Sequence, residues 1–160
     1  QSHSALRIVA NPGDRNPVHS TSLGKVIMAY LPEPEVEKVL KQYPLIRMTS
    51  KTITQKPHLL EHLAAVREQG VAFDLGENVD GVLCVAGPIF DQHGRAVAGV
   101  SVSGPTSRME SKLMAIRDAV RNGGVKISRM LGPLSASEGA AARIAASFAE
   151  ATAQPATPTE

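Results

Sequence analysis

Two runs of β-forming residues, joined by a short polar connection, make the clearest pattern along the chain. The first run extends from Gly81 to Phe90, Asp91-Gln92-His93-Gly94 forms the connection, and the second run extends from Arg95 to Pro105. A polar connection that ends in glycine between two such runs is typical of a β-hairpin. Closing it with a loop of two or four residues predicts three facing pairs: Val82 with Ser103, Cys84 with Ser101, and Ala86 with Gly99.

The two faces of this hairpin differ, because successive residues of a strand point to opposite sides. One face has aliphatic residues typical of a core: Leu83, Val85, Ile89, Ala96, Ala98, Val100 and Val102. The other face has small and mildly polar residues: Cys84, Ala86, Gly99, Ser101 and Ser103. A half-exposed sheet would explain the serines, but solvent faces usually carry larger polar side chains. Small residues with hydroxyls and a thiol leave room for a small polar ligand.

Helices and further strands surround the hairpin. Apolar spacing predicts a helix capped by Ser20 or Thr21, a second one opening at Pro34, and a third that Gly70 ends. Strands are predicted at 6–9 and 71–74. A capping box, Ser107-Arg108-Met109-Glu110, predicts one long helix to Leu131, with a bend or close packing at its paired glycines, 123 and 124. These elements indicate an α+β domain, an antiparallel sheet flanked by helices.

Composition narrows the possible functions. The 160 residues are 42% hydrophobic, enough for one domain with a core. The 17 basic and 15 acidic residues are scattered, and only 3% of residues are aromatic, so nucleic-acid binding by this chain has no support. A single cysteine fits a reducing compartment, and the longest apolar run is too short for a membrane span, so a cytoplasmic protein without membrane contact is expected.

The chain divides into three parts by composition. Residues 1–5 resemble a tag remnant or leader, and residues 6–132 form the expected domain. Residues 133–160 are rich in alanine and proline and are expected to be largely disordered.

Three candidate sites have simpler explanations beside the functional ones. A lone Cys84 is commonly core filler, and thiol catalysis would need a base, yet none of the five histidines is near it in sequence. Asp74 is either a turn residue that accepts backbone N–H bonds or a ligand contact facing the small residues. His58 and His62 lie four apart, but without a further ligand they indicate a solvated helix face, and no metal site is expected.

Six short segments form an ordered set along the chain. They are Gly13-Asp14-Arg15-Asn16-Pro17-Val18-His19 leading into Leu23-Gly24-Lys25 and Met28-Ala29; Thr49 with Thr52-Ile53; Leu59-x-x-x-Leu63; Arg67-x-x-Gly70-x-x-x-Asp74; Gly81-x-x-Cys84-x-Ala86-x-Pro88-x-x-Asp91; and Val100-Ser101-Val102-Ser103-Gly104-Pro105. Together they resemble the effector-binding domain of IclR-type bacterial transcription regulators. The resemblance covers roughly residues 6 to 131.

This resemblance implies a GAF- or PAS-like fold, truncated at its N-terminus, with a small-molecule pocket between sheet and loops. It implies that the pocket is lined by the backbone at Ser22 and Leu23 and by a set of four side chains: Asp74, Cys84, Ser101 and Ser103. No catalytic residue and no cofactor is implied. In relatives a winged helix-turn-helix and about two further strands precede the point where this sequence begins, so DNA is contacted only outside it.

The expected function is sensing of a small organic acid. A homodimer or homotetramer is expected as well, because the long apolar stripe after Ser107 offers a surface for association. No Arg or Lys falls on the small-residue face, so the acid's carboxylate is expected to be held by hydroxyls and a helix N-terminus. Asp74 should then accept from a hydroxyl or hydrated carbonyl at the ligand's other end. Two alternatives remain open: an oligomerisation module with a vestigial pocket, and an enzyme that uses Cys84.

Overall fold

The computed structural model describes residues 15–132 of the chain. Three helices come first, and a three-stranded hairpin meander and a helical segment follow. The elements are α1 (Ser22–Ala29), α2 (Glu33–Gln42), α3 (Lys56–Gln69), β1 (Ala72–Asp74), β2 (Val82–Phe90), β3 (Ala96–Pro105), α4 (Thr106–Met109), a 3-10 turn (Glu110–Lys112) and α5 (Leu113–Met130). The strand predicted at 6–9, the leader and the tail lie outside the described residues.

The strands form one antiparallel sheet in the order β1-β2-β3, so the predicted α+β class is confirmed. The predicted hairpin register is wrong by two residues. Cys84 faces Ser103 and Ala86 faces Ser101. Since side chains alternate with a period of two, a shift of two residues keeps each side chain on its predicted face.

The register differs because of the connection between β2 and β3. It comprises residues 91–95, and the Asp91 N–H donates to the Arg95 carbonyl over 2.9 Å while Gly94 adopts a φ of 73°. Phe90 pairs with Ala96 but Ile89 pairs with Ala98, so β3 holds one extra residue at this point. This bulge also moves Ala96 out of the aliphatic row in which it was predicted.

Helices cover both faces of the sheet. On the small-residue face, a cluster of residues from α1, α2, α3 and the strands is buried: Val26, Met28, Ala29, Val36, Leu59, Leu63, Val66, Ala72 and Ala86. On the aliphatic face a second cluster involves α5: Val71, Leu83, Val85, Met109 and Val120. The sheet is therefore the central layer, and α1 is the helix that lies over the predicted ligand face.

Close packing of the helices on the sheet depends on two glycines, one in a strand and one in a helix. A Cβ at Gly99 would lie 2.8 Å from Cδ2 of Leu23, so a side chain there would push α1 away from β3. A Cβ at Gly124 would lie 2.5 Å from the Pro88 carbonyl oxygen. The Ser128 hydroxyl strengthens that second contact, because it accepts from the Phe90 N–H over 2.8 Å. The close packing predicted at the paired glycines is thus confirmed at Gly124.

The single long helix predicted from Ser107 to Leu131 is wrong. The chain instead makes the short α4, a 3-10 turn and α5, and α4 begins after Pro105 without a side-chain cap, so the capping box does not form. The side chain of Met109, at the end of α4, is buried, and its Sδ would lie 2.9 Å from a Cβ at Gly104. Within residues 15–132, no helix is long and apolar enough to cross a membrane.

Candidate effector-binding face

One row across the three strands brings together three of the predicted site residues. Cys84 on the central strand faces Asp74 of β1 on one side and Ser103 of β3 on the other. In the adjacent row on the same face, Ala86 lies between Ala72 and Ser101. The four predicted side chains therefore share one face of the sheet, although their exact pairing differs from that predicted.

The Cys84 thiol is partly buried within this row. Burial raises its pKa, and a hydrogen bond with Ser103 opposes that rise, whereas Asp74 adds to it. A raised pKa keeps the thiol protonated at neutral pH, but a cysteine nucleophile needs a stabilised thiolate. The geometry thus favours Cys84 as a hydrogen-bonding or packing residue over a catalytic one.

Asp74 is 2% exposed and fixes the turn that follows β1. Its Oδ1 accepts from the Glu77 N–H over 2.6 Å and from the Asn78 N–H over 3.3 Å. Burial raises its pKa, while these backbone donors lower it. The turn interpretation and the facing position are both correct, since the same carboxylate holds the turn and lies beside Cys84.

Lys25 reaches this region from α1, although no Lys or Arg lies on the small-residue face of the strands themselves. Its side chain is fully buried, and Nζ lies 2.5 Å from Oε1 of Glu77. Desolvation lowers its pKa, and the negative charges of Glu77 and then Asp74 oppose that shift. The strand pattern could not show a group contributed by a helix. Helical spacing could have indicated that Lys25 is buried, because it lies three residues after Ser22 and four before Ala29, both buried in α1.

The turn that carries Glu77 is held from outside the sheet by buried hydroxyls. Thr52 donates to the Glu77 carbonyl over 2.7 Å, and Thr49 donates to the Gly76 carbonyl over 2.7 Å. Ser20 donates to Oδ1 of Asn78 over 2.9 Å. In the sequence the two threonines belong only to the set of segments that resembles the family. In the structure they hold the turn that carries Glu77.

The start of α1 lies next to the middle of β3. Thr21 is the N-cap, as predicted, and its Oγ1 accepts from the Gly24 N–H over 3.1 Å. Backbone N–H groups in the first turn have no acceptor within the helix. Ser22 is buried, whereas Leu23 is 38% exposed and packs near Gly99. Ser101, which is half-buried, lies two positions after Gly99 on the same face of β3.

The two helical histidines differ from each other. His58 is exposed, but His62 is half-buried, so the solvated-face interpretation is wrong for His62. Burial, and then the charge of Lys25, lowers its pKa to about 4. Among residues 15–132, no group of three or more His, Cys, Asp or Glu side chains could hold a metal ion.

A surface cleft of about 600 Å³ lies elsewhere, between the segment preceding α1 and the segment following α2. It is lined by Arg15, Asn16, Pro17, Val18, His19, Tyr43, Pro44 and Ile46. The His19 ring is within 2.9 Å of the Ile46 carbonyl, which joins the two segments. None of the predicted site residues lines this cleft.

Comparison with known proteins adds an independent line of evidence. The family described as "Bacterial transcriptional regulator IclR C-terminal" matches residues 1–129. The HTH-type transcriptional regulator BhcR of Paracoccus denitrificans is 37% identical over 134 residues, which are 83% of this chain and 48% of BhcR. The chain thus spans about half the length of the curated relatives it matches.

Solved structures agree with this likeness. The C-terminal domain of the Escherichia coli transcriptional regulator KdgR is 40% identical, with a TM-score of 0.70 over 75% of this chain and 74% of that one. A double mutant of the inducer-binding domain of PobR from Acinetobacter, in complex with 3-hydroxybenzoic acid, is 29% identical, with a TM-score of 0.68 over 72% of this chain and 69% of that one.

Proposed function

Since this chain belongs to the family of IclR C-terminal domains of bacterial transcriptional regulators, we propose that it senses a small organic acid. Its curated relatives are named transcriptional regulators. In the whole protein, contact with DNA would be made by a part outside this sequence. Binding of the acid would shift the population of domain arrangements and thereby change how the DNA-binding parts are placed.

The row formed by Asp74, Cys84 and Ser103 carries this proposal. We call this row, together with Ser101, the effector-binding face. Its side chains are small, and the hydroxyls of Ser103 and nearby Ser101 offer hydrogen bonds that strengthen when the acceptor is charged. The first turn of α1, at Ser22 and Leu23, adds backbone donors and the positive end of a helix dipole. We place the ligand's carboxylate at this end of the face.

The opposite end of the face is electrostatically different. Asp74 and Glu77 lie there, and the buried charge of Lys25 compensates them only in part. A ligand carboxylate would be repelled at this end, whereas a hydroxyl could donate to Asp74. The complex of the PobR inducer-binding domain holds a hydroxy acid of this kind. We therefore propose hydroxy or oxo acids as the effector class.

The competing functions are less well supported. The raised pKa of Cys84 argues against thiol catalysis. An oligomerisation module would need no row of polar side chains next to a helix N-terminus. The relatives' names point to regulation, not to catalysis.

A calorimetric screen with matched acid pairs tests the proposal. The pairs are lactate with propionate, glycolate with acetate, and 3-hydroxybenzoate with benzoate. We expect saturable binding of at least one hydroxy acid, tighter than binding of its plain partner. If no acid binds or raises the unfolding temperature, the face is vestigial and the oligomerisation module is the better description. Turnover of any of these acids, lost in Cys84→Ala, would instead favour the enzyme.

A further inference from the structure

A second, smaller cavity lies between α3 and the side of β1 that faces away from Asp74. Its volume is about 190 Å³. Most of its lining is apolar or neutral: Ala65, Val66, Gln69, Val71, Phe73 and Leu75. Two ionisable residues, His62 and Glu77, complete the lining. Because Leu75 and Gln69 are exposed, the cavity is reached from solvent.

Both ionisable residues present a polar atom that lacks a partner. His62 Nε2 and Glu77 Oε2 are buried and make no hydrogen bond. The Glu77 side chain is only 9% exposed, and its other oxygen, Oε1, is paired with Lys25. Buried polar atoms without partners are uncommon, because burial removes their water without replacing it. Both atoms belong to residues that line this cavity, so an occupant with a hydrogen-bonding group would supply the missing partner.

We propose that this cavity is a ligand site, separate from the effector-binding face, for a small neutral molecule with one hydroxyl group on a flat apolar body. An apolar protein cavity of about 150 Å³ accommodates benzene, so a single substituted ring fits a cavity of about 190 Å³. A hydroxyl can donate its single proton to Oε2 of Glu77 and accept from the His62 ring in the tautomer that carries the proton on Nε2.

The charges around the cavity favour a neutral ligand over an ammonium ion. Lys25 already neutralises Glu77 through Oε1, and its positive charge contributes to the lowered pKa of His62. The imidazole is therefore uncharged at neutral pH. The positive charge of Lys25 would repel an added ammonium group, whereas a hydroxyl carries no charge to be repelled.

Glu77 links this cavity to the effector-binding face. Its unpartnered Oε2 is the acceptor that we assign to the cavity ligand, and its Oε1 holds Lys25, which lies near Asp74 and Cys84. A ligand that hydrogen-bonds to Oε2 therefore changes the strength of the Lys25 contact. The resulting coupling to effector affinity, which rests on the proposed function, must be reciprocal.

Phenol and benzene form a matched pair of probes, since they differ by the hydroxyl alone. In an NMR titration of the full chain, we expect phenol to give saturable shifts at the His62 ring and at the methyl groups of Val66 and Val71. Phenol should bind about ten-fold more tightly than benzene, because it adds a hydrogen bond to a charged group. His62→Phe should reduce this preference and His58→Phe, one turn away and exposed, should not.

A second variant tests the site in case His62→Phe does not fold. Ala65→Leu fills the cavity and should abolish binding of both probes. Equal affinity for phenol and benzene, or no saturable shift at His62, would overturn the proposal. So would shifts that map to Ser101 and Ser103, because phenol would then occupy the effector-binding face. Ser101→Ala with Ser103→Ala separates the two sites: it should weaken binding of organic acids and leave phenol binding at the cavity unchanged.

Discussion

Lys25 Nζ and Glu77 Oε1 lie 2.5 Å apart in a region where the lysine is fully buried. The pair joins α1 to the turn after β1, and thus joins the two elements that border the effector-binding face. Taking both charges out of water is costly, and their mutual attraction offsets that cost only while both are present. Their contribution to stability is therefore best measured by removing one partner and then both.

Lys25→Met should lower the free energy of unfolding by about 3–5 kcal/mol, because it leaves Glu77 buried without its counter-ion. The double change Lys25→Met with Glu77→Leu should recover part of that loss. Urea unfolding followed by circular dichroism measures both. Lys56→Met is the control: its pair with Glu37 is 47% and 33% exposed, so we expect a loss below about 1 kcal/mol. Similar losses in both single variants would show that the buried pair is not special.

His62 should make the free energy of unfolding fall as the pH is lowered from 6.5 towards 4. Its pKa drops from 6.5 to about 4 on folding, so in this range the unfolded chain binds a proton that the folded chain does not. The contribution lost by pH 5 is about 1–2 kcal/mol. The carboxylates Asp74 and Glu77 have raised pKa values and act in the opposite direction, since protonation favours their folded forms.

Comparison of variants isolates the histidine. Urea unfolding of the wild type, His62→Phe and His58→Phe at pH 7 and pH 5 gives the difference directly. We expect His62→Phe to lose stability less on acidification than the wild type, and His58→Phe to follow the wild type. Parallel curves for the wild type and His62→Phe would contradict this assignment.

Ser101→Ala with Ser103→Ala should weaken binding of the effector acid at least ten-fold. A hydrogen bond to a charged group contributes about 1.5–3 kcal/mol, and the double variant removes two such donors. Titration calorimetry measures the loss with whichever acid binds the wild type. Ser107→Ala removes an exposed hydroxyl beyond the sheet and should bind normally. Unchanged affinity in the double variant would remove the serines from the site.

Asp74→Asn should reduce the preference for a hydroxy acid over the plain acid of the same length. Asparagine retains an oxygen that accepts from the Glu77 and Asn78 N–H groups, so the turn should persist. It replaces an acceptor that is charged with one that is neutral, and the bond to the ligand hydroxyl weakens. The ratio of the two dissociation constants is the measurement. If it stays constant, Asp74 is only a turn residue.

The chain is predicted to associate, although the original argument from one long helix no longer applies. Leu113, Ile116 and Val120 pack into the core on the aliphatic face. Apolar surface remains at the end of α5, where Met130 is 78% exposed and Leu131 is 52% exposed. Light scattering over a range of concentrations should give a mass above that of a monomer, and Met130→Glu should lower it. Met48→Glu, in a distant loop, should not. A monomer at every concentration would rule out association.

The sequence by itself determined the local structure and the two faces of the sheet. Strand alternation has a period of two, so Cys84, Ser101 and Ser103 had to share a face in any register with an even shift. The cap at Thr21 and the helix end at Gly70, with a φ of 70°, depend on neighbouring residues only. These features need no knowledge of distant contacts.

Tertiary structure decided the features that depend on contacts between different helices, strands and turns. The hairpin register followed from the bulge and from the loop closed between Asp91 and Arg95. The capping box at Ser107 did not form, and the predicted long helix is divided by the 3-10 turn after α4. Lys25 became part of the candidate site only when α1 packed on the sheet. Lys25 and Glu77 are 52 positions apart, so no local pattern contains the contact that buries them together.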